Sequence, residues 1–202
     1  RLFEAIQAKH VAIANTKVYV NYADGFIGTG LKKDELASEC SDLDDIIVFT
    51  RRGLMKVVRV GEKVYIGKDI IHVAVFQKND ERTTYNMIYV DGGTGTSYAK
   101  RFNVTGITRE KEYDLTRGND KSKVHYFTAN ANGEAEVVSI TLSPNCTARH
   151  KSLDFYFEEL EIKGRGAMGN QLTKYPIKTV KFKEAGKSTL SAVKLWFDDK
   201  FG

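Results

Sequence analysis

Met87-Ile88-Tyr89-Val90-Asp91-Gly92-Gly93-Thr94-Gly95-Thr96-Ser97-Tyr98-Ala99-Lys100-Arg101-Phe102-Asn103-Val104 reads as an apolar strand, a glycine turn and a second strand carrying two cations among its apolar positions. Short β-branched and aromatic runs bounded by Gly, Asp and Asn recur along the whole chain: Lys17-Val18-Tyr19-Val20, Ile46-Ile47-Val48-Phe49, Val124-His125-Tyr126-Phe127 and Phe155-Tyr156-Phe157. Helical periodicity is hard to find anywhere, and two prolines leave the runs largely uninterrupted. The chain is expected to be all-β.

The hairpin pattern repeats. Asp24-Gly25 precedes Phe26, Arg52-Gly53 precedes Leu54, and Asn132-Gly133 precedes Val137. Gly53, Gly93 and Gly133 are 40 residues apart and Gly169 follows 36 later, a period that signals a bladed, propeller-like array. The second strands carry cations: Lys32 and Lys33, Lys56 and Arg59, Lys100 and Arg101, later Lys174 and Lys178. Alternation turns some outward while Leu54, Val57, Phe102 and Val104 face a core, so repetition around the array predicts a basic belt.

With 202 residues, 42% hydrophobic and 11% aromatic, the chain can bury a sizeable core, and residues 1–202 are expected to form a single domain. It opens at Arg1 with residues that already read as structure, so a fragment of a longer protein is expected, with any catalysis elsewhere. No apolar run approaches the ~18 residues of a spanning helix and the start lacks a signal-peptide layout, so a soluble, cytoplasmic protein without membrane contact is expected. Cys40 and Cys146 stand far apart, without a CxxC or nearby His, against a disulfide framework or a zinc site. The sequons at Asn103 and Asn145 are coincidental in that setting. Net charge is +5, a mild excess, but its distribution is one-sided. Across residues 163–187 lie Lys163, Arg165, Lys174, Lys178, Lys181, Lys183 and Lys187 against Glu184 as the only acid, either a phosphate-facing surface or a merely solvated rim.

Hairpins of this form, with an embedded Lys, resemble the blades of the C-terminal domain of gyrase and topoisomerase IV A subunits. The resemblance covers about residues 11–197 and is carried by Gly25-Phe26-Ile27-Gly28-Thr29-Gly30-Leu31-Lys32-Lys33-Asp34-Glu35, Gly67-Lys68-Asp69-Ile70-Ile71-His72-Val73-Ala74-Val75-Phe76, Lys100-Arg101-Phe102-Asn103-Val104-Thr105-Gly106 and Lys163-Gly164-Arg165-Gly166-Ala167-Met168-Gly169-Asn170. It implies a β-pinwheel of four-stranded blades, with strands exchanged between neighbours and a basic outer rim that bends duplex DNA. Five blades are read, with a partial sixth at residues 191–197. It implies no active site or cofactor here: the attacking tyrosine, the metal carboxylates and the ATPase, with ATP and Mg2+, lie in other domains or in the B subunit of an A2B2 holoenzyme. The isolated domain is expected to be a monomer, working at the nucleoid. Gyrase carries a box of Gln, basic, Arg, Gly, Gly, basic, Gly; residues 163–169 keep only Arg165, Gly166 and Gly169 in place, and late in the chain. Topoisomerase IV is therefore favoured over gyrase with its chiral wrapping.

The expected DNA contacts are Lys32, Lys33, Arg51, Arg52, Lys56, Arg59, Lys100, Arg101, Lys163, Arg165, Lys174 and Lys178. For each the alternative is a solvated strand-edge cation that discourages aggregation. A protein-interaction propeller without a DNA role also stays open. Gly164, Gly166 and Gly169 suit either a phosphate-approaching loop or a tight turn. Gly186-Lys187-Ser188-Thr189 ends like a P-loop but has Lys181 where the earlier Gly is required. Asp42, Asp44 and Asp45 fit no calcium loop and read as a turn, His72 and His125 as core or interstrand histidines, and the tyrosines and Trp196 as packing.

Overall fold

The computed structural model describes residues 16–190; the partial sixth blade at residues 191–197, Trp196 and His10 lie outside the described residues. Sixteen strands and one 3-10 turn (Phe157–Glu159) are found among the described residues, and no α-helix.

Among the described residues four sheets form the array. The first holds β1 (Thr16–Asn21), β2 (Phe26–Gly28) and β3 (Glu35–Cys40), with β6 (Val64–Tyr65) on its far edge. The second holds β4 (Asp45–Thr50), β5 (Leu54–Arg59) and β7 (Ile70–Phe76), with β10 (Glu112–Asp114). The third holds β8 (Thr84–Val90), β9 (Ser97–Asn103) and β11 (Lys123–Asn130), with β14 (Ile162–Gly164) and β15 (Asn170–Thr173). The fourth holds β12 (Val137–Leu142), β13 (Ser152–Tyr156) and β16 (Ile177–Glu184).

Strand exchange follows one rule. After each hairpin the chain reaches back to the second strand of the preceding sheet, then returns to pair with the first strand of its own. Thus β6 pairs with β2 before β7 pairs with β4, β10 pairs with β5 before β11 pairs with β8, and β14 and β15 pair with β9 before β16 pairs with β12. Neighbouring sheets are stitched by backbone hydrogen bonds as well as by packing.

This stacking explains the uninterrupted apolar runs. Ile47 and Phe49 of β4 face a core shared with Met87, Tyr89 and Phe102, while Ile46 and Val48 face a second core with Val18, Val20 and Ile27. Ile88 and Ala99 face a third, with Val138, Ile140 and Phe157. Both faces of the second and third sheets are therefore covered, and each fully buried Ile or Phe contributes roughly 1.5–3 kcal/mol.

Three glycine hairpins stand where the sequence puts them. Gly25 (φ 81) turns β1 into β2, Gly53 (φ 87) turns β4 into β5, and Gly92-Gly93 turn β8 into β9. Gly133 (φ 64) corrects the pattern: it links β11 of the third sheet to β12 of the fourth, so it bends the chain between sheets and not within a hairpin. Gly169 opens no new hairpin either, because β14 and β15 on its two sides both pair with β9. Four sheets, not five, consequently stand among the described residues.

Candidate nucleic-acid interface

The expected cations divide by where they sit on the strands. Lys32 and Lys33 are exposed in the turn after β2, one step off the strand to which the sequence pattern assigns them. Arg51 and Arg52 form the exposed β4–β5 turn. Lys56, in mid-strand, has only 22% of its side chain exposed and pairs with Glu110 at 3.3 Å, whereas Arg59 at the end of β5 is exposed. Lys174 is exposed in the bend before β16, and Lys178 on β16 itself. Lys163 is exposed on β14, 3.8 Å from Glu161. Arg165 is half-buried, with its guanidinium 4.3 Å from the centre of the Tyr113 ring and donating to the Gly106 carbonyl.

Lys100 and Arg101 do not belong to an outer belt. They are 3% and 2% exposed, because β9 is flanked by strands on both edges and covered on both faces. Alternation sends them to opposite faces. Lys100 donates to the carbonyls of Leu115 (2.6 Å), Arg165 (2.9 Å) and Ala167 (2.9 Å). Arg101 donates to Asn86 Oδ1 (3.0 Å), Gly133 O (2.9 Å) and Thr189 Oγ1 (3.0 Å) on the side of the fourth sheet. Asn86 in turn donates to the buried Glu136 at 2.6 Å, so the guanidinium and the carboxylate share one network. Burial pulls the Lys100 ammonium down to about 8, opposed by the Asp114 carboxylate.

One cluster of cations faces outward together. Arg51 and Arg52 line a hollow of about 470 Å³ with Lys121, Ser122, Lys123 and Asp69. Non-local backbone bonds assemble it: the Arg51 N–H donates to Asp69 O (2.8 Å) and the Val124 N–H to Arg51 O (2.7 Å), fixing the β4–β5 turn against the start of β11. Arg52 also meets Asp120 at 2.6 Å, an exposed pair that adds little stability. Lys68 lies beyond Arg52 along an adjoining hollow. His125, the extra residue where the β11 register shifts, has its pKa lowered by burial and then by the nearby Lys123 and Arg51 charges. Lys121 and Lys123 are missed by sequence reasoning. They are visible as a basic doublet before an apolar strand, but it is the non-local backbone bond from Val124 to Arg51 that brings them to Arg51.

The remaining motifs are structural. Gly186 packs against the Ala135 carbonyl and Ser188 donates to Asn132 O, so the stretch ending at Thr189 is docked on the link between the third and fourth sheets. Asp44 accepts from the Ser41 N–H in a turn (2.9 Å), and Asp45 opens β4. His72 sits among Phe49, Tyr85 and Phe127. Tyr89 is buried, whereas Tyr65 and Tyr156 are exposed. Cys40 and Cys146 are free thiols. Among the described residues no group of three or more His, Cys, Asp or Glu converges as metal ligands would.

Residues 17–185 match the family described as "Topoisomerase C-terminal domain, Bacteroidota". The chain belongs to this topoisomerase C-terminal domain family. It is 26% identical over 187 residues to the A subunit of DNA topoisomerase 4 from Borreliella burgdorferi, a match covering 90% of the chain and 27% of that relative. The chain thus spans about a quarter of the length of that relative. A crystal structure of the C-terminal domain of DNA topoisomerase IV has the same fold, with a TM-score of 0.57 at 14% identity over 83% of this chain and 61% of the other. The sheet array is therefore a topoisomerase C-terminal domain with the β-pinwheel fold.

Proposed function

We propose that this domain binds duplex DNA on a cationic face centred on Arg51, Arg52, Lys121 and Lys123, bends it, and presents it to the cleavage core of an ATP-dependent topoisomerase IV. The convergence of those four cations on one hollow carries this reading. Exposed Lys68, Lys163, Lys174 and Lys178, with the partly exposed Arg165, are further phosphate contacts in it. Affinity comes chiefly from counterion release and is blind to sequence. Bending a short duplex by 40–90° costs about 1–6 kcal/mol, which several phosphate contacts along the curve must offset. The domain needs no cofactor for this; ATP and Mg2+ act in other domains of the holoenzyme.

Sealing nicked circular DNA with ligase in the presence of the chain, with parallel binding titrations at low and high salt, tests the proposal. Salt-sensitive binding with little linking-number change is the expected result. A positive linking-number change would instead assign gyrase-like wrapping, and no binding at low salt would overturn the DNA reading.

A further inference from the structure

The segment from Gly164 to Gly169 joins β14 to β15 on the third sheet, yet its Arg165 reaches Tyr113 on β10 of the second. Two buried side chains hold it. The Lys100 ammonium spends all three of its protons on backbone carbonyls: two in this segment, Arg165 and Ala167, and one at Leu115, just past β10. The Tyr89 hydroxyl donates to Met168 O at 2.6 Å. At the far end Gly169, with φ 89, lies so close to β9 that a Cβ there would stand 2.6 Å from the Ala99 carbonyl. Outside this clamp Lys163 is exposed, and the Arg165 guanidinium rests on Tyr113 with part of its surface in solvent.

We infer that Lys100 is a positioning residue: it fastens the 164–169 segment across the second and third sheets and so fixes where Lys163 and Arg165 meet DNA. The part concerning DNA rests on the proposed function; the clamp itself does not. A buried ammonium suits the task because it satisfies three carbonyls from two chain segments at one point. An apolar side chain of the same volume would leave all three unpaired. Nothing in the arrangement requires Lys100 to touch DNA, and its burial prevents it.

Lys100→Met in the 202-residue chain tests this by amide hydrogen exchange. Exchange across residues 164–170 should rise about tenfold or more, while β4 and β8 keep wild-type protection. Duplex binding supplies the second arm: Lys163→Ala should weaken binding in the wild-type background and have little further effect beside K100M, whereas Arg51→Ala should cost the same in both. Damage spread over the whole fold would move both substitutions alike. Unchanged protection of the segment, or equal effects of K163A in both backgrounds, would overturn the inference. If wild-type protein binds no duplex at low salt, the DNA reading fails, and the exchange arm still decides the clamp. Should K100M not fold, Tyr89→Phe removes the second tie and keeps the core; faster exchange confined to residues 167–169 supports the clamp, and wild-type exchange there contradicts it.

Discussion

Arg51-Arg52 and Lys100-Arg101 are both dibasic pairs in glycine hairpins, and they end in opposite surroundings. The first occupies the turn itself, where the chain leaves the stack of sheets, and stays exposed. The second lies in the middle of a strand with neighbours on both edges and cores on both faces. A cation at a strand end can reach solvent, whereas one in the middle of a central strand must find acceptors inside. Lys100 and Arg101 find them in the carbonyls of exchanged and linking segments, so the same residue types join sheets in one place and expose charge in the other.

The sharpest way to break this contrast is Arg101→Met. It leaves Glu136, buried and tied to Arg101 through Asn86, without its cation, and should destabilise the fold by about 3–5 kcal/mol in denaturant unfolding. The double change Arg51→Ala, Arg52→Ala should move stability by less than about 0.5 kcal/mol. Comparable losses in the two would dissolve the distinction. Gly169→Ala probes the interior from the segment side: positive φ and the Ala99 carbonyl together should cost about 1–3 kcal/mol of stability.

How far the sequence reveals this division depends on the element. The hairpins at Gly25, Gly53 and Gly92-Gly93 are readable because turn glycine and flanking apolar runs are local. The exchanged strands β6, β10 and β14 are two or three residues long and carry no periodicity of their own, so only the resemblance announces them. Gly133 imitates a hairpin glycine because a link between sheets needs the same left-handed backbone. For Lys100 and Arg101, alternation promises one outward side chain, and that inference fails where both faces of a sheet are covered. The meeting of Lys121 and Lys123 with Arg51 depends on a backbone bond between distant segments, which no local pattern encodes.

Acid titration extends the comparison to the histidines. His72 is half-buried, but its Nε2 is shut away from solvent with no hydrogen-bond partner, and burial lowers its pKa. The unfolded chain then binds more protons than the folded one below the ordinary histidine pKa of about 6.5, so stability is full above that pH and falls as pH drops. The loss is at most about 1.4 kcal/mol per pH unit, and His72→Phe should abolish its share. His125, beside the exposed cluster, should respond to charge: Arg51→Ala should raise its pKa in an NMR titration, while Arg101→Met should leave it unmoved. The smallest effect is expected for Lys32→Ala with Lys33→Ala, below about 0.5 kcal/mol in stability because both lie in an open turn.

The most direct measurement is the salt dependence of duplex binding by the wild-type chain and by the quadruple variant Arg51→Ala, Arg52→Ala, Lys121→Ala, Lys123→Ala. Each cation that neutralises a phosphate contributes about 0.9 to the slope of log affinity against log salt, so the quadruple change should flatten the slope by about 2–4 with folding intact. An unchanged slope in the folded variant would contradict the placement of DNA on this surface.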